Sequence, residues 1–210
     1  MMAIVGRPMI NVLMRGVVTC ASRVANAIRL RGLPSHRRRV RRSRAVLREL
    51  RAMRGEAVAA RAFGYLRQVD PLVYEEVVLS ALEDAGAFIL RSRRYSGDGG
   101  IDGRCWLPMR SWRLHAVQIK RYESAVAPSH VAALGQLVAA RRWAGGLFVH
   151  CGRTGPQSYA AMRDARVMLI SGDTLLRLLI DRQLPNAADR IPRPRGRCRR
   201  TCPSPESPTR

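Results

Sequence analysis

Three polar residues stand out by type and spacing. Asp102 lies in the run Gly97-Asp98-Gly99-Gly100-Ile101-Asp102-Gly103, and Gln118 and Lys120 lie in Val117-Gln118-Ile119-Lys120-Arg121-Tyr122. On a strand, residues i and i+2 leave the same face, so Gln118 and Lys120 project together. If the two segments pair as a hairpin, the Asp102 carboxylate meets both at one spot. An acid, a carbonyl oxygen and an ammonium there can hold a hard divalent cation and a water. Mg²⁺ prefers a few such oxygens and keeps several waters, and Mn²⁺ suits the same donors. Asp102 supplies charge, and the amide oxygen of Gln118 or the carbonyl of Ile119 supplies a second oxygen. Lys120 would orient or deprotonate an attacking water, or offset charge on a phosphate. It is the only lysine among 38 basic residues, in a chain where arginine is otherwise universal. Arginine stays protonated and cannot serve as the base, which gives this one lysine a reason to be there.

The elements that must position these residues follow from periodicity and breakers. Asp70 reads as an N-cap and Pro71 as the first residue of a helix that carries Tyr74, Val77, Val78, Ala81 and Leu82 and ends at Gly86. Strands are expected at 87–91, 101–107 and 112–121, the first two separated by a glycine-rich turn at 96–100. In the third, Leu114, Ala116, Gln118 and Lys120 share one face, and His115, Val117 and Ile119 the other. A helix at 129–143, an all-apolar strand at 146–150, a helix near 155–165, a strand at 167–170 and a helix after Gly172 complete the order. The pattern is α/β: a mixed sheet flanked by helices.

Charge is unevenly spread along the 210 residues, whose formal net charge is +23. Residues 1–68 carry 16 arginines against two acids, whereas residues 69–182 are nearly balanced. Such a surplus favours a polyanionic partner, nucleic acid or an anionic membrane face. The chain divides into an apolar, arginine-interrupted extension (1–35), a basic helical arm (36–68), a core domain (69–182) and a Pro/Arg-rich tail (183–210) expected to be disordered. The arm opens with HRRRVRRSR, and Arg37, Arg38, Arg39, Arg41 and Arg42 are candidate phosphate contacts, as is Arg121 beside Lys120. The arginine bias of the whole chain is the competing explanation for that run. No uncharged stretch of the first 30 residues exceeds seven, too short for a transmembrane helix of about 20 residues. An interfacial helix lying on a membrane through residues 1–35 stays an alternative. Five cysteines without a dense spacing argue against a disulfide scaffold, and Cys198 and Cys202 lack the second pair of ligands a zinc site needs. The default compartment is the cytoplasm.

From about Asp70 to Leu179 the chain resembles the Mrr-type restriction endonuclease domain, a branch of the PD-(D/E)xK nuclease superfamily. The segments that carry the resemblance are DPLVYEE (70–76), GDGGIDG (97–103), VQIKRY (117–122), VAALGQL (131–137), GLFVHCGR (146–153) and LISGDTLLRLL (169–179). They occur in the family's order, and the family is similar in carrying Gln where other branches have an acid. The resemblance implies a restriction-endonuclease-like fold and metal-dependent hydrolysis of DNA, directed at foreign or modified DNA. It implies Asp102, Gln118 and Lys120 as the catalytic core. Glu75, in the place of the family's helical Phe-Glu pair, would assist the metal or Lys120, and Asp98 is a further candidate in the same turn. Two departures are evident: Tyr74 replaces the Phe, and His150-Cys151 followed by Thr154-Gly155-Pro156 replaces a Thr/Ser-rich strand end with a following aromatic.

Other polar residues have plainer readings. Glu76 reads as a solvated helix-face residue, His115 as packing and His130 as solvated. His150 ends an apolar strand and could approach the site. Trp106, Trp112 and Trp143 read as core or edge packing. Three alternatives to a restriction nuclease stay open: a catalytically silent DNA-binding module, a structure-specific repair or recombination nuclease, and a membrane-surface protein. A concerted double-strand cut needs two active sites, which makes a homodimer an option.

Overall fold

The computed structural model describes residues 6–93, 100–108, 112–121, 126–155, 157 and 166–185. Its elements are α1 (Gly6–Arg29), α2 (Pro34–Ala52), α3 (Val58–Gln68), α4 (Pro71–Asp84), β1 (Phe88–Arg91), β2 (Gly103–Leu107), β3 (Arg113–Lys120), α5 (Pro128–Ala140), β4 (Gly145–His150), β5 (Val167–Ile170) and α6 (Gly172–Leu179). The glycine-rich turn with Asp98, the helix expected near 155–165 and the tail beyond 185 lie outside the described residues.

The five strands form one sheet in sequence order, antiparallel from β1 to β3 and parallel from β3 to β5. This is the mixed sheet expected from the sequence. Alternation along β3 separates two cores. Val117 and Ile119 join Leu147, Val149, Met168 and Ile170 against α4 and α6. Ala116 joins Phe148, Val167 and Leu169 under Val131, Leu134 and Val138 of α5. Both faces of the central strands are therefore covered, which is why β4 reads as an unbroken apolar run.

Helix α4 is the keystone because it has two buried sides. The Asp70 carboxylate accepts from the Val73 N–H at 3.1 Å and Pro71 opens the first turn. Gly86, at φ +99°, supplies the left-handed residue that turns the chain into β1. Tyr74, Val77, Val78 and Leu82 are wholly buried among the sheet and the neighbouring helices.

The basic segment 36–68 is not an arm. It breaks into α2 and α3 because Gly55 (φ +84°) and Ala57 (φ +59°) both adopt left-handed backbone. Val46, Leu47 and Leu50 of α2 are buried within the main core with α4. Truncating either leucine to alanine is expected to cost about 2–5 kcal/mol.

Residues 6–29 likewise form a docked helix. Ser22 Oγ accepts from the Ile89 N–H at 3.1 Å and donates its proton to Glu83 Oε1 at 2.7 Å, with the Ile89 carbonyl 3.1 Å away. Asn26 donates to the same carbonyl at 2.7 Å and accepts from the Arg91 N–H at 3.0 Å. α1 thus satisfies the free hydrogen-bonding edge of β1, a position where an unpaired strand would invite a further strand. Its outer face keeps Val12, Leu13, Val17 and Ile28 exposed. No described helix is long and apolar enough to cross a membrane.

Candidate active site

The candidate site lies at the end of the sheet where β1 and β3 finish, β2 begins and α4 starts. Asp102 sits one residue before β2 rather than within it, and its backbone continues the ladder on both sides. Its N–H donates to the Val117 carbonyl at 2.9 Å, and its carbonyl accepts from Ser92 N–H at 3.2 Å. The carboxylate Oδ2 accepts from the Ile119 N–H at 2.6 Å. That bond fixes the side chain against β3 and leaves Oδ1 without a bond from any described residue.

Gln118 extends from β3 on the α5 side and is 9% exposed. Its Nε2 would lie 2.7 Å from a Cβ built on Gly100, whose φ is +78°. The left-handed backbone favours glycine there, and any Cβ would push the Gln118 amide aside. The Gln118 Oε1 atom is buried and has no hydrogen-bond partner among the described residues. An orphaned buried carbonyl oxygen costs roughly 1–3 kcal/mol, so it points to a group that completes it.

Electrostatics tie the remaining residues to this spot. Burial pushes the Asp102 carboxyl up to about 6, against the downward pull of the Ile119 N–H and of Lys120. Burial pushes Glu75, in the first turns of α4, up to about 8; Asp102 and Glu76 add to the rise, while Lys120 and Arg39 oppose it. Glu75, Asp102 and Lys120 are therefore electrostatically coupled, and Arg39 of α2 acts on Glu75 as well. Among the described residues no three His, Cys, Asp or Glu side chains gather at one point. A cation here would draw on the two carboxylates, the Gln118 oxygen and solvent. Such an oxygen-only, water-rich set suits a hard divalent ion rather than zinc.

His150 faces Lys120 across the parallel β3–β4 pair. It is wholly buried, and its Nε2 lies 3.1 Å from Thr154 Oγ1, which in turn lies 3.1 Å from Ser171 Oγ. Burial pushes its pKa down to about 4, so the ring beside Lys120 is neutral at physiological pH. His150 and Thr154, two of the residues in the segment that departs from the family pattern, are thus within hydrogen-bonding distance of each other.

Some candidates fall elsewhere. The Arg121 guanidinium donates to the Arg67 carbonyl on α3. Arg37, Arg38, Arg41 and Arg42 are exposed on α2. His115 is buried on the α4 side with Nδ1 against the Arg113 carbonyl, a packing role as expected, and His130 is exposed. Trp106 packs edge-on against Phe88, Trp143 lies under Arg104, and Trp112 is 47% exposed.

Glu76 overturns its sequence reading. It is buried, 2.8 Å from Arg91 Nε and 2.6 Å from His36 Nε2. Burial raises its pKa, but the bonds from His36 and Arg91 outweigh that and hold it below the usual carboxylate range. Arg91 also reaches Glu83 at 3.0 Å and Ser80 at 3.1 Å. The missed signal is the spacing of Glu76, Ser80 and Glu83, which puts three polar groups on one stripe of an otherwise apolar helix.

A sheet of this order, with an Asp/Gln/Lys group where β2 and β3 meet, defines a nuclease-type α/β domain. The restriction endonuclease family model, Mrr_cat, matches residues 66–179, more than half of the chain, and the chain belongs to that family. Among solved structures it is similar to the MspJI restriction endonuclease in complex with a 27-mer oligonucleotide, at 23% identity and a TM-score of 0.44. That match covers 60% of this chain and 32% of the other, so the chain spans about a third of the length of that protein. No curated protein matches it.

Proposed function

We propose that the chain is a divalent-cation-dependent DNA endonuclease acting in restriction of foreign or modified DNA, with residues 69–182 as its catalytic unit. The observation that carries this reading is the orphaned, buried Gln118 oxygen on the strand whose Ile119 N–H bonds Asp102, together with the electrostatic coupling of Asp102, Glu75 and Lys120. Asp102, Gln118 and Glu75 would hold the ion, Mg²⁺ or Mn²⁺. A bound ion of this kind stabilises charge developing on a phosphate and makes coordinated water a better nucleophile at neutral pH. Asp102, fixed by Ile119, presents its free oxygen in one place and so needs no reorganisation during the reaction. Lys120 orients the attacking water and offsets negative charge on the phosphate. Without a cation, burial and the neighbouring acids raise the Glu75 carboxyl to about 8, so binding the ion would release its proton. The neutral His150 keeps a second positive charge away from Lys120.

The test is plasmid cleavage by the purified chain with Mg²⁺, Mn²⁺ or EDTA, offering methylated and unmethylated DNA beside Lys120→Ala and Asp102→Ala. Cation-dependent nicking that both substitutions abolish is the expected result. Full activity in Lys120→Ala would overturn the assignment of the lysine. Cleavage in EDTA would overturn the cation.

A further inference from the structure

A concavity of about 870 Å³ lies between α1 and α2, with Asp84 at the end of α4 and Arg91 at the end of β1 among its lining. Arg15, Arg23, Arg37, Arg41, Arg44 and Arg182 line it, against only two acids, Asp84 and Asp181. Asp84 is already engaged by Arg23 and Arg51, each at 2.7 Å. Glu83 beneath is held mainly by Arg91 at 3.0 Å. The groove is therefore strongly cationic, and its cations crowd each other. Burial, with Arg182 beside it, lowers the pKa of Arg15; burial, with Arg23 beside it, lowers that of Arg44. Arg44 Nε is buried with no partner among the described residues. Arg37 and Arg41 are exposed, and their guanidinium groups bond to no described residue.

The groove also has a direction. Arg29 donates to the Arg91 carbonyl at the catalytic end of β1, and His36 meets Glu76 at the start of α4. Leu30 and Arg37 line the groove near the turn that joins α1 to α2. From Val12 to Leu30 the α1 wall runs for roughly 27 Å at 1.5 Å per residue, the length of about eight base pairs. Aliphatic side chains of Val24, Leu30 and Val40 lie between the arginines. They suit the apolar edge of deoxyribose.

We infer that the α1–α2 groove seats the sugar-phosphate backbone of duplex DNA flanking the cut, so that the N-terminal helices serve as a substrate-docking surface. The inference rests on the reading of the chain as a DNA endonuclease. Both helices lie outside the residues matched by the family model. A free organic phosphate or an acidic peptide would meet the same charges. The length of the groove and the run of arginines along it favour DNA.

The experiment measures binding of the full chain to a 30-base-pair duplex in EDTA, as a function of salt, by fluorescence anisotropy. Arg37→Ala/Arg41→Ala removes two partner-free guanidinium groups and should leave folding intact, which its thermal melt checks. Expected is a loss of roughly tenfold in affinity near 0.1 M salt and a salt slope shallower by about two. The control pair Arg141→Ala/Arg166→Ala, exposed and away from the groove, should change affinity less than threefold. Equal losses in the two pairs would overturn the proposal, because binding would then follow bulk charge alone. Displacement of the duplex by equimolar ATP or by a poly-glutamate peptide would also overturn it, in favour of a smaller or a protein ligand. Cleavage is scored separately. Groove-dependent binding without cleavage would remove the nuclease reading and keep the groove, and cleavage with unchanged binding of the variant would do the reverse.

Discussion

Two buried polar clusters lie within one helix of each other, and they are built on opposite principles. Around Arg91 every guanidinium nitrogen has a partner: Nε bonds Glu76, Nη1 bonds Glu83 and Nη2 bonds Ser80. His36, Ser22 and Asn26 extend that network and tie α2 and α1 to the core. Around Asp102 the opposite holds. Gln118 Oε1 has no partner, and two carboxyls are pushed up to about 6 and about 8. A saturated network stabilises a unique packing, whereas an unsaturated one spends stability to stay ready for a charged ligand. Glu75 and Glu76 are adjacent in sequence and belong to different clusters, because a helix turns successive side chains by about 100°.

This contrast can be broken at several points. The largest effect is expected on catalysis: Asp102→Ala and Lys120→Ala should each lower the cleavage rate by about a thousandfold or more while moving Tm little. In the saturated cluster the largest effect falls on stability instead. Arg91→Ala leaves Glu76 and Glu83 buried without their cation and should cost about 3–5 kcal/mol, read by urea unfolding. Arg91→Met with Glu76→Gln and Glu83→Gln should recover much of that loss, since the uncompensated charge is then gone.

Gly100→Ala probes the seam of the unsaturated site. The new methyl would stand 2.7 Å from Gln118 Nε2 on a backbone at φ +78°. A stability loss of about 1–2 kcal/mol and a cleavage rate lowered at least tenfold are expected, because the amide must move.

The smallest effect is a pH dependence of stability in EDTA. Glu75 and Asp102 bind protons more tightly in the folded chain than in the unfolded one. Stability from this source is fully present below the ordinary carboxyl range and is lost as pH rises through about 6 and about 8. Glu75→Gln should flatten that decline and stabilise the cation-free chain by roughly 1 kcal/mol at pH 8, after allowance for the side chain's partial exposure. A melting series from pH 5 to 8.5, with and without Mg²⁺, checks both the sign and its reversal by the ion.

Part of the candidate site was legible because it is local. The period-2 pattern of β3 puts Gln118 and Lys120 on one face, and Asp102 stands just before β2, the antiparallel partner of β3. The caps at Asp70, Pro71 and Gly86 made α4 readable from its ends. The saturated cluster was not legible, because its partners come from α1, α2, α4 and β1, which are far apart in sequence. A single buried arginine in a chain with 37 of them gives no signal of its own. The docking of α1 was hidden for a related reason. Its inward residues, Ser22 and Asn26, are polar, so its apolar pattern points outward to solvent and misleads the reading of an extension. The split between α2 and α3 turned on Ala57, a residue that seldom adopts a left-handed backbone.

The most direct test of the central claim is Gln118→Leu, assayed at once for thermal stability in EDTA and for plasmid cleavage in Mg²⁺. Leucine fills similar space and removes the orphaned oxygen. If that oxygen is held unsatisfied for a cation, Tm stays level or rises while cleavage falls at least a hundredfold. A variant that cleaves at the wild-type rate, or that loses stability as Arg91→Ala does, would contradict the account.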